Sequence, residues 1–324
     1  MPFEIDMLNV GNADAIILRY FDKDNHEFIV VIDAGKTEEH GKMVVDHINK
    51  YTIKKSIDLA ISTHPDKDHI KGFFYVIERL EIQEFWIHDP KLHKIDESDI
   101  KSFFDTDYFE KGLKYVVESL NFSKDLISII DEKEIERNEP LEGRSHSKIP
   151  IRVLGPSAEY YKEKLNSFRD IHLLFESVAI EKATLDNLNL EDRVIEFDKF
   201  SDRSNENNSS TVILFHGDDK KVLFTADAGP EALEQVVEKY NLTNLDFLDV
   251  PHHGSRNNLT TNIMDIFSPK TAYISCTGKY PDPYIVQYLK SKKTKIFTTK
   301  THGKLRHRDI FMSFREGWYN IKPL

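Results

Sequence analysis

The sequence predicts an α/β layered fold, on three observations. Short runs rich in β-formers each stop at a polar or chemistry-bearing residue. Segments of helical spacing lie between those runs. No internal repeat of fixed period interrupts the alternation. Phe3 to Tyr20 alternates, and the polar turn Asp22-Lys23-Asp24-Asn25 leads into Phe28–Ile32, which reads as a hairpin ending at Asp33-Ala34-Gly35. Glu39 to Tyr51 has helical spacing, with Met43, Val44, His47 and Ile48 on one side. Ile57 to Ser62 reads as a buried strand, Lys71 to Leu80 as a helix and Glu84 to Ile87 as a strand. The first ninety residues therefore read β-β-α-β-α-β.

Two charged or polar stretches, at about 91–148 and 157–206, read as insertions into one domain spanning 1–324, with the strand Ile149 to Leu154 between them. Thr211–Phe215, Gly217-Asp218-Asp219-Lys220 and Lys221–Thr225 form a strong hairpin signal. Phe247–Val250, Thr271–Ser275 and Lys295–Thr298 are further short strands, with helices at Glu231–Tyr240 and Ile285–Ser291.

Composition narrows the function classes. With 40% hydrophobic and 31% charged residues, the 324-residue chain has soluble globular composition. It shows no bilayer-length apolar run and no signal-peptide pattern, so a cytoplasmic protein without membrane partners is expected. The single cysteine, Cys276, excludes an internal disulfide framework and a thiolate zinc site. A net charge of −11 argues against a whole-surface nucleic-acid binder. Residues 290–324 nonetheless carry about +8, either a solvated tail or a local field that steers an anion.

Three segments repeat one grammar: apolar strand, then metal-ligand chemistry, then a small residue or a helix. The sharpest is Thr63-His64-Pro65-Asp66-Lys67-Asp68-His69, where two histidines and two aspartates directly follow a strand. His64, Asp66, Asp68 and His69 can serve two neighbouring divalent ions; loop polarity is the plain alternative. Asp227, in Phe224-Thr225-Ala226-Asp227-Ala228-Gly229, reads equally as a bridging carboxylate or as the cap of a helix starting near Pro230. In Val250-Pro251-His252-His253-Gly254-Ser255, at least one of His252 and His253 reads as a ligand. Ser255 and Arg256 are placed to meet a phosphate, although most arginines are simply solvated.

Together these segments resemble the metallo-β-lactamase fold. The variant His-Pro-Asp-x-Asp-His resembles the hydrolase domain of ComEC-type DNA-uptake proteins and their free-standing relatives. Asn9 to Ala15, Val31 to Gly35, Asn207-Asn208-Ser209-Ser210-Thr211-Val212 and Pro251 to Ser255 resemble further motifs of that group. The resemblance implies a four-layered αββα sandwich and two divalent ions, zinc or manganese. It implies Asp227 as the bridging carboxylate, Asp14 and Asp33 as groups that orient the ligands, and Asn208 and Ser210 as substrate contacts. Asp68 acquires a catalytic role beside ligation, handling a proton next to the attacking water.

Departures are equally specific. Asp66 stands where the superfamily has a second histidine, and the middle histidine ligand is missing. The late Gly-His-Pro is replaced by Gly278-Lys279-Tyr280-Pro281-Asp282-Pro283, where either Asp282 is a substitute ligand or substrate contact, or the role is lost. Thr299 to Gly303 resembles the closing turn, and His302 there reads as a substrate contact or, more simply, as a surface histidine.

The implied activity is cleavage of a phosphodiester in nucleic acid or a nucleotide. The alternatives are hydrolysis of a small non-nucleotide ester (phosphocholine-type, thioester or lactone) and a non-catalytic metal-binding component of a multi-protein system. The insertions suit a cleft wall, an oligomer interface or a protein partner. All of this requires Asp227 and the His252–His253 pair to fold within roughly a dozen ångströms of His64, a few coordination lengths.

Overall fold

The computed structural model describes residues 2–93, 110–165, 201, 204–309 and 320–324. Much of both expected insertions lies outside the described residues. Thirteen strands are described: β1 Phe3–Met7, β2 Ala15–Phe21, β3 Glu27–Ala34, β4 Ile57–Ile61, β5 Ile82–Trp86, β6 Glu136–Asn138, β7 Ile151–Gly155, β8 Val212–Gly217, β9 Lys220–Phe224, β10 Phe247–Asp249, β11 Thr271–Ile274, β12 Lys295–Thr298 and β13 Leu305–Asp309. They form a seven-stranded sheet in the order β13-β1-β2-β3-β4-β5-β6 and a six-stranded sheet in the order β12-β11-β10-β9-β8-β7.

The period-two pattern sets the layers. Phe28, Val30 and Ile32 of β3 pack with Ile213, Phe215, Val222 and Phe224 of the other sheet, in a core between the sheets. Ile29 and Val31 point the other way, onto Val44 and Ile48 of helix α1, Glu38–Tyr51. The outer face of the second sheet is covered through Leu233, Ile263 and Ile285, from helices at Pro230–Tyr240, Thr261–Phe267 and Pro283–Ser291. Helix, sheet, sheet, helix is the expected αββα sandwich. Among the described residues, no helix is long and apolar enough to cross a membrane.

Local chemistry explains the connections. Asp22 accepts from the amides of Asp24 and His26, closing the β2–β3 turn. Asp218 and Asp219 both have positive φ, 53° and 59°, as a two-residue hairpin between right-twisted strands requires. Four elements differ from the sequence reading. The helix expected over Lys71 to Leu80 is instead two short turns, Lys67–Ile70 and Phe73–Val76. Phe3 to Tyr20 is two antiparallel strands, broken at Leu8 to Asp14 where Gly11 turns with φ 77°. Residues 136–138, inside an expected insertion, add β6 in parallel to β5. β13 pairs antiparallel with β1 and delivers Arg306 onto Glu4, so part of the basic tail is neutralised in a buried ion pair.

β3 to β6 run parallel, as do β9 to β12. The carboxyl ends of such strands are where an α/β protein presents chemistry. His64 and Asp33 follow or end β4 and β3, and Asp227, His252 and His253 follow β9 and β10.

A candidate metal centre between the sheets

The imidazoles of the centre are held in one tautomer by hydrogen-bond bookkeeping. The Thr63 amide and hydroxyl both donate to Asp33, at 2.9 and 2.7 Å. A hydroxyl has one proton to give. His64 Nδ1, 3.1 Å from Thr63 Oγ1, therefore donates to it. His69 Nδ1 donates to Asp33 Oδ2 at 2.8 Å, and His253 Nδ1 to the Ser275 carbonyl at 2.9 Å. His252 Nδ1 donates to Asn258 Oδ1 at 3.1 Å, and Asn207 Nδ2 lies 3.2 Å from the same nitrogen. In His64, His69 and His253 the Nε2 atom is left without a hydrogen-bond partner among the described residues.

Those nitrogens converge. Asp227 Oδ2 lies 3.8 Å from His64 Nε2, 3.5 Å from His69 Nε2 and 3.8 Å from His252 Nε2. Asp68 Oδ2 lies 3.8 Å from His253 Nε2. These spacings exceed a hydrogen bond of about 2.7–3.2 Å. Two donors sharing one cation at about 2.1 Å stand roughly 3 to 3.5 Å apart. His64, His69 and Asp227 form one ligand-capable group, Asp68, His69 and His253 a second, and Asp14, Asp33 and His69 a third. The Nε2 atoms of His64, His69 and His253 and Oδ1 of Asp227 are buried with no hydrogen-bond partner among the described residues. Each such orphan costs about 1–3 kcal/mol, and four in one place fit a bound divalent cation. The imidazole and carboxylate donors suit zinc or manganese.

Charge within the centre is tightly opposed. Burial resists ionisation of Asp227, but His252, His69 and His64 outweigh it and hold the pKa well below the usual carboxylate range. Burial likewise resists protonation of His69, and Asp227 and Asp33 outweigh it, so its pKa lies well above the usual value. Burial, reinforced by His69, lowers His64. Burial opposes ionisation of Asp68, but His253 and His69 beside it outweigh that, and its pKa falls to about 2. Burial raises Asp14 to about 6.

The backbone is bent to make this geometry. Asp33, Ala226, His252 and His253 all have positive φ, at 55°, 47°, 47° and 58°. Such conformations cost of order 1–3 kcal/mol each and gather at functional sites. Gly254, φ 79°, follows the histidine pair, and a Cβ there would stand 2.7 Å from Pro281 Cβ. The His252 amide donates to the Ala226 carbonyl at 3.0 Å, tying the two loops together. Asp227 is not a helix cap: Gly229 occupies that position, with Pro230 opening the helix.

Other expected site residues have other contacts. Asp66 lies outside the three groups, and its Oδ1 accepts from Ser119 Oγ at 3.3 Å. Asn208 is fully buried, accepting from the Ala232 amide and donating to the Ser204 carbonyl. Ser210 lines a cavity of about 140 Å³ with Pro156, Tyr160 and Gln235. Ser255 Oγ caps the short turn that follows it, accepting from the Asn257 amide. Arg256 lies 3.7 Å from Asp282, whose carboxylate also caps the helix Pro283–Ser291 through the Tyr284 amide. His302 donates from Nε2 to the Lys322 carbonyl and bonds the Thr298 backbone.

Three residues escaped the sequence reading. Asn258 is fully buried and donates to the Asp227 carbonyl at 3.0 Å while receiving His252; its only signal is its place after the His-His-Gly-Ser run. Asp249 ends β10 three residues before that pair. Burial, then Asp14, Asp33 and Asp227, push its pKa well above the usual range. Tyr280 sets its ring centroid 6.4 Å from His252 and 6.3 Å from His253; the sequence reading marked its segment, 278–283, but singled out Asp282 instead.

This fold and this meeting of strand-end histidines and aspartates define a metallohydrolase of the αββα type. The chain belongs to the metallo-beta-lactamase superfamily, whose model matches residues 9–279. Among solved structures it is similar to the metallo-beta-lactamase fold protein YhfI from Bacillus subtilis (8% identity, 95% of this chain and 100% of that one, TM-score 0.49). It is also similar to a long form RNase Z from yeast (12% identity, 94% of this chain and 42% of that one, TM-score 0.42). No curated protein sequence matches it. The family and the ligand-capable groups support a metal-dependent hydrolase, with room for a dinuclear centre.

Proposed function

We propose that this protein is a metal-dependent phosphodiesterase acting on nucleic acid or nucleotides, akin to the hydrolase domain of ComEC-type DNA-uptake proteins. The observation that carries the reading is Asp227: one carboxylate oxygen faces three imidazole nitrogens at 3.5–3.8 Å. A carboxylate so surrounded would be able to serve more than one bound cation. Divalent ions held by His64, Asp68, His69, Asp227 and His252 or His253 would supply hydroxide near neutral pH and offset charge on phosphate.

The chain's own groups supply the rest. Asp33 holds His69 in its ligating tautomer, Thr63 does so for His64, Ser275 for His253 and Asn258 for His252. Asp68 is the most exposed carboxylate of the set, at 28%, and stays ionised. In this reading it receives a proton from the attacking water. Arg256, held beside Asp282, lies within four residues of His252 and offers a planar cation to a non-bridging phosphate oxygen. The alternation of imidazole and carboxylate without thiolate leaves zinc and manganese as the ions to test.

The test is metal content together with turnover of a single-stranded DNA, RNA, dinucleotide and chromogenic phosphodiester panel, set beside a thioester and a lactone. Wild type is expected to cleave a phosphodiester in manganese or zinc, and Asp227→Asn and Asp68→Ala to lose that cleavage. Retained cleavage by Asp68→Ala, or turnover confined to the carboxyl esters, overturns the reading.

A further inference from the structure

His88, two residues beyond β5, belongs to none of the ligand-capable groups, yet it is fixed on all sides. It is 3% exposed. Its ring lies flat on Tyr161, in the helix Ala158–Leu165, with centroids 4.1 Å apart and planes 12° from parallel. Its Nε2 is 3.0 Å from Thr211 Oγ1. Thr211 directs both its amide and its hydroxyl at the Thr63 carbonyl, each at 3.0 Å.

The proton count assigns the ring. The Thr211 hydroxyl spends its one proton on Thr63, so His88 donates from Nε2. The opposite tautomer would bury an N–H at Nδ1, which has no hydrogen-bond partner among the described residues. Orphaned buried donors are the rarer defect. Burial, with His93 and then His64 nearby, depresses the His88 pKa to about 3, so the ring is neutral throughout the working range.

Thr63 is the hub of the network around this ring. Its carbonyl receives Thr211, its amide and hydroxyl go to Asp33, and its oxygen receives His64 Nδ1. Asp33 in turn receives His69 Nδ1. A continuous chain of hydrogen bonds therefore runs from His88 through Thr211 and Thr63 to two of the histidines that face Asp227.

We propose that His88 is a positioning residue of the metal centre: by donating to Thr211 it fixes the Thr63 peptide, and through it the Nε2 atoms of His64 and His69. Its stack on Tyr161 makes the helix Ala158–Leu165 part of the same support. The inference rests on the metal-ligand part of the proposed function and not on the identity of the substrate.

The test uses cobalt(II) as the probe, with affinity from chelator competition and ligand geometry from the visible absorption bands. His88→Phe keeps a ring against Tyr161 and removes the donor; His88→Gln returns an N–H at the reach of Nε2. His88→Phe is expected to weaken cobalt binding about tenfold or more and to shift the bands, and His88→Gln to restore both to within about threefold. A folded His88→Phe with wild-type affinity and spectrum overturns the proposal, and so does a folded His88→Gln as impaired as His88→Phe. Should His88→Phe fail to fold, Thr211→Val, which removes the hydroxyl at constant size, carries the same test with the same overturning result. Phosphodiester turnover is read in parallel. Wild type that binds cobalt but cleaves nothing defeats the proposed function and leaves the His88 result standing.

Discussion

Asp33→Asn tests the orientation of the centre with the smallest possible change of shape. The Asp33 carboxylate accepts three bonds: from the Thr63 amide at 2.9 Å, the Thr63 hydroxyl at 2.7 Å and His69 Nδ1 at 2.8 Å. Asparagine offers one acceptor oxygen and an amide that can only donate. Serving the Thr63 amide with that oxygen turns the NH₂ toward His69. The imidazole then moves its proton to Nε2 and presents a bare Nδ1 to the amide. A protonated Nε2 cannot ligate a cation. The metal-free protein loses the two charge-assisted bonds to Oδ2, from the Thr63 hydroxyl and His69, in a fully buried place, about 1.5–3 kcal/mol each before the new amide contacts offset part of it. The larger effect is on the metal, where comparable outer-shell changes cost about 10- to 100-fold in affinity. Urea unfolding of the metal-free protein separates the two losses from a chelator-competition titration with zinc or manganese. Metal affinity within about threefold of wild type in Asp33→Asn would refute the tautomer argument, whatever happens to stability.

Other outcomes depend on the same geometry. Asp14 is buried with its pKa raised to about 6. A raised carboxylate favours the folded state below its unfolded pKa near 3.8, and that contribution is lost as pH rises through about 6. Metal-free Asp14→Asn should therefore unfold at higher urea than wild type at pH 7.5, with the difference disappearing by about pH 4 in a pH series. Gly254→Ala places a Cβ against Pro281 at positive φ; a loss of about 1–3 kcal/mol in urea unfolding is expected, with weaker metal binding as His253 shifts. Asn258→Ala removes the group that holds both His252 and the Asp227 carbonyl. Its kcat should fall about tenfold or more, with a smaller change in KM.

The parts of the centre that the sequence displays are those whose chemistry is local. His64, Asp68 and His69 lie within six residues after one strand, and His252 and His253 are adjacent after another. The supports are illegible because their bonds cross the chain: His88 meets Thr211 over 123 residues, and Thr211 meets Thr63 over 148. Asp227 reads as bridge or cap from sequence alone, and Gly229 holds the cap position in the fold. Asp66 resembles its neighbours in sequence, yet the start of the helix at Lys67 turns it toward Ser119. The layers are legible from period-two alternation. The pairing of β13 with β1 is not, since it joins the two ends of the chain and sets Arg306 on Glu4.

The donors come from two separate stretches. His64, Asp68 and His69 stand on the seven-stranded sheet's side; Asp227, His252 and His253 stand on the other. Two of the ligand-capable groups, His64–His69–Asp227 and Asp68–His69–His253, draw donors from both stretches, so a cation held by either would rivet the seam. Anything that binds only the assembled form stabilises it by mass action. Stripping the metal should thus unfasten this one edge, raising hydrogen exchange at Thr63 and His252 while the amides of β3 and β8 stay protected.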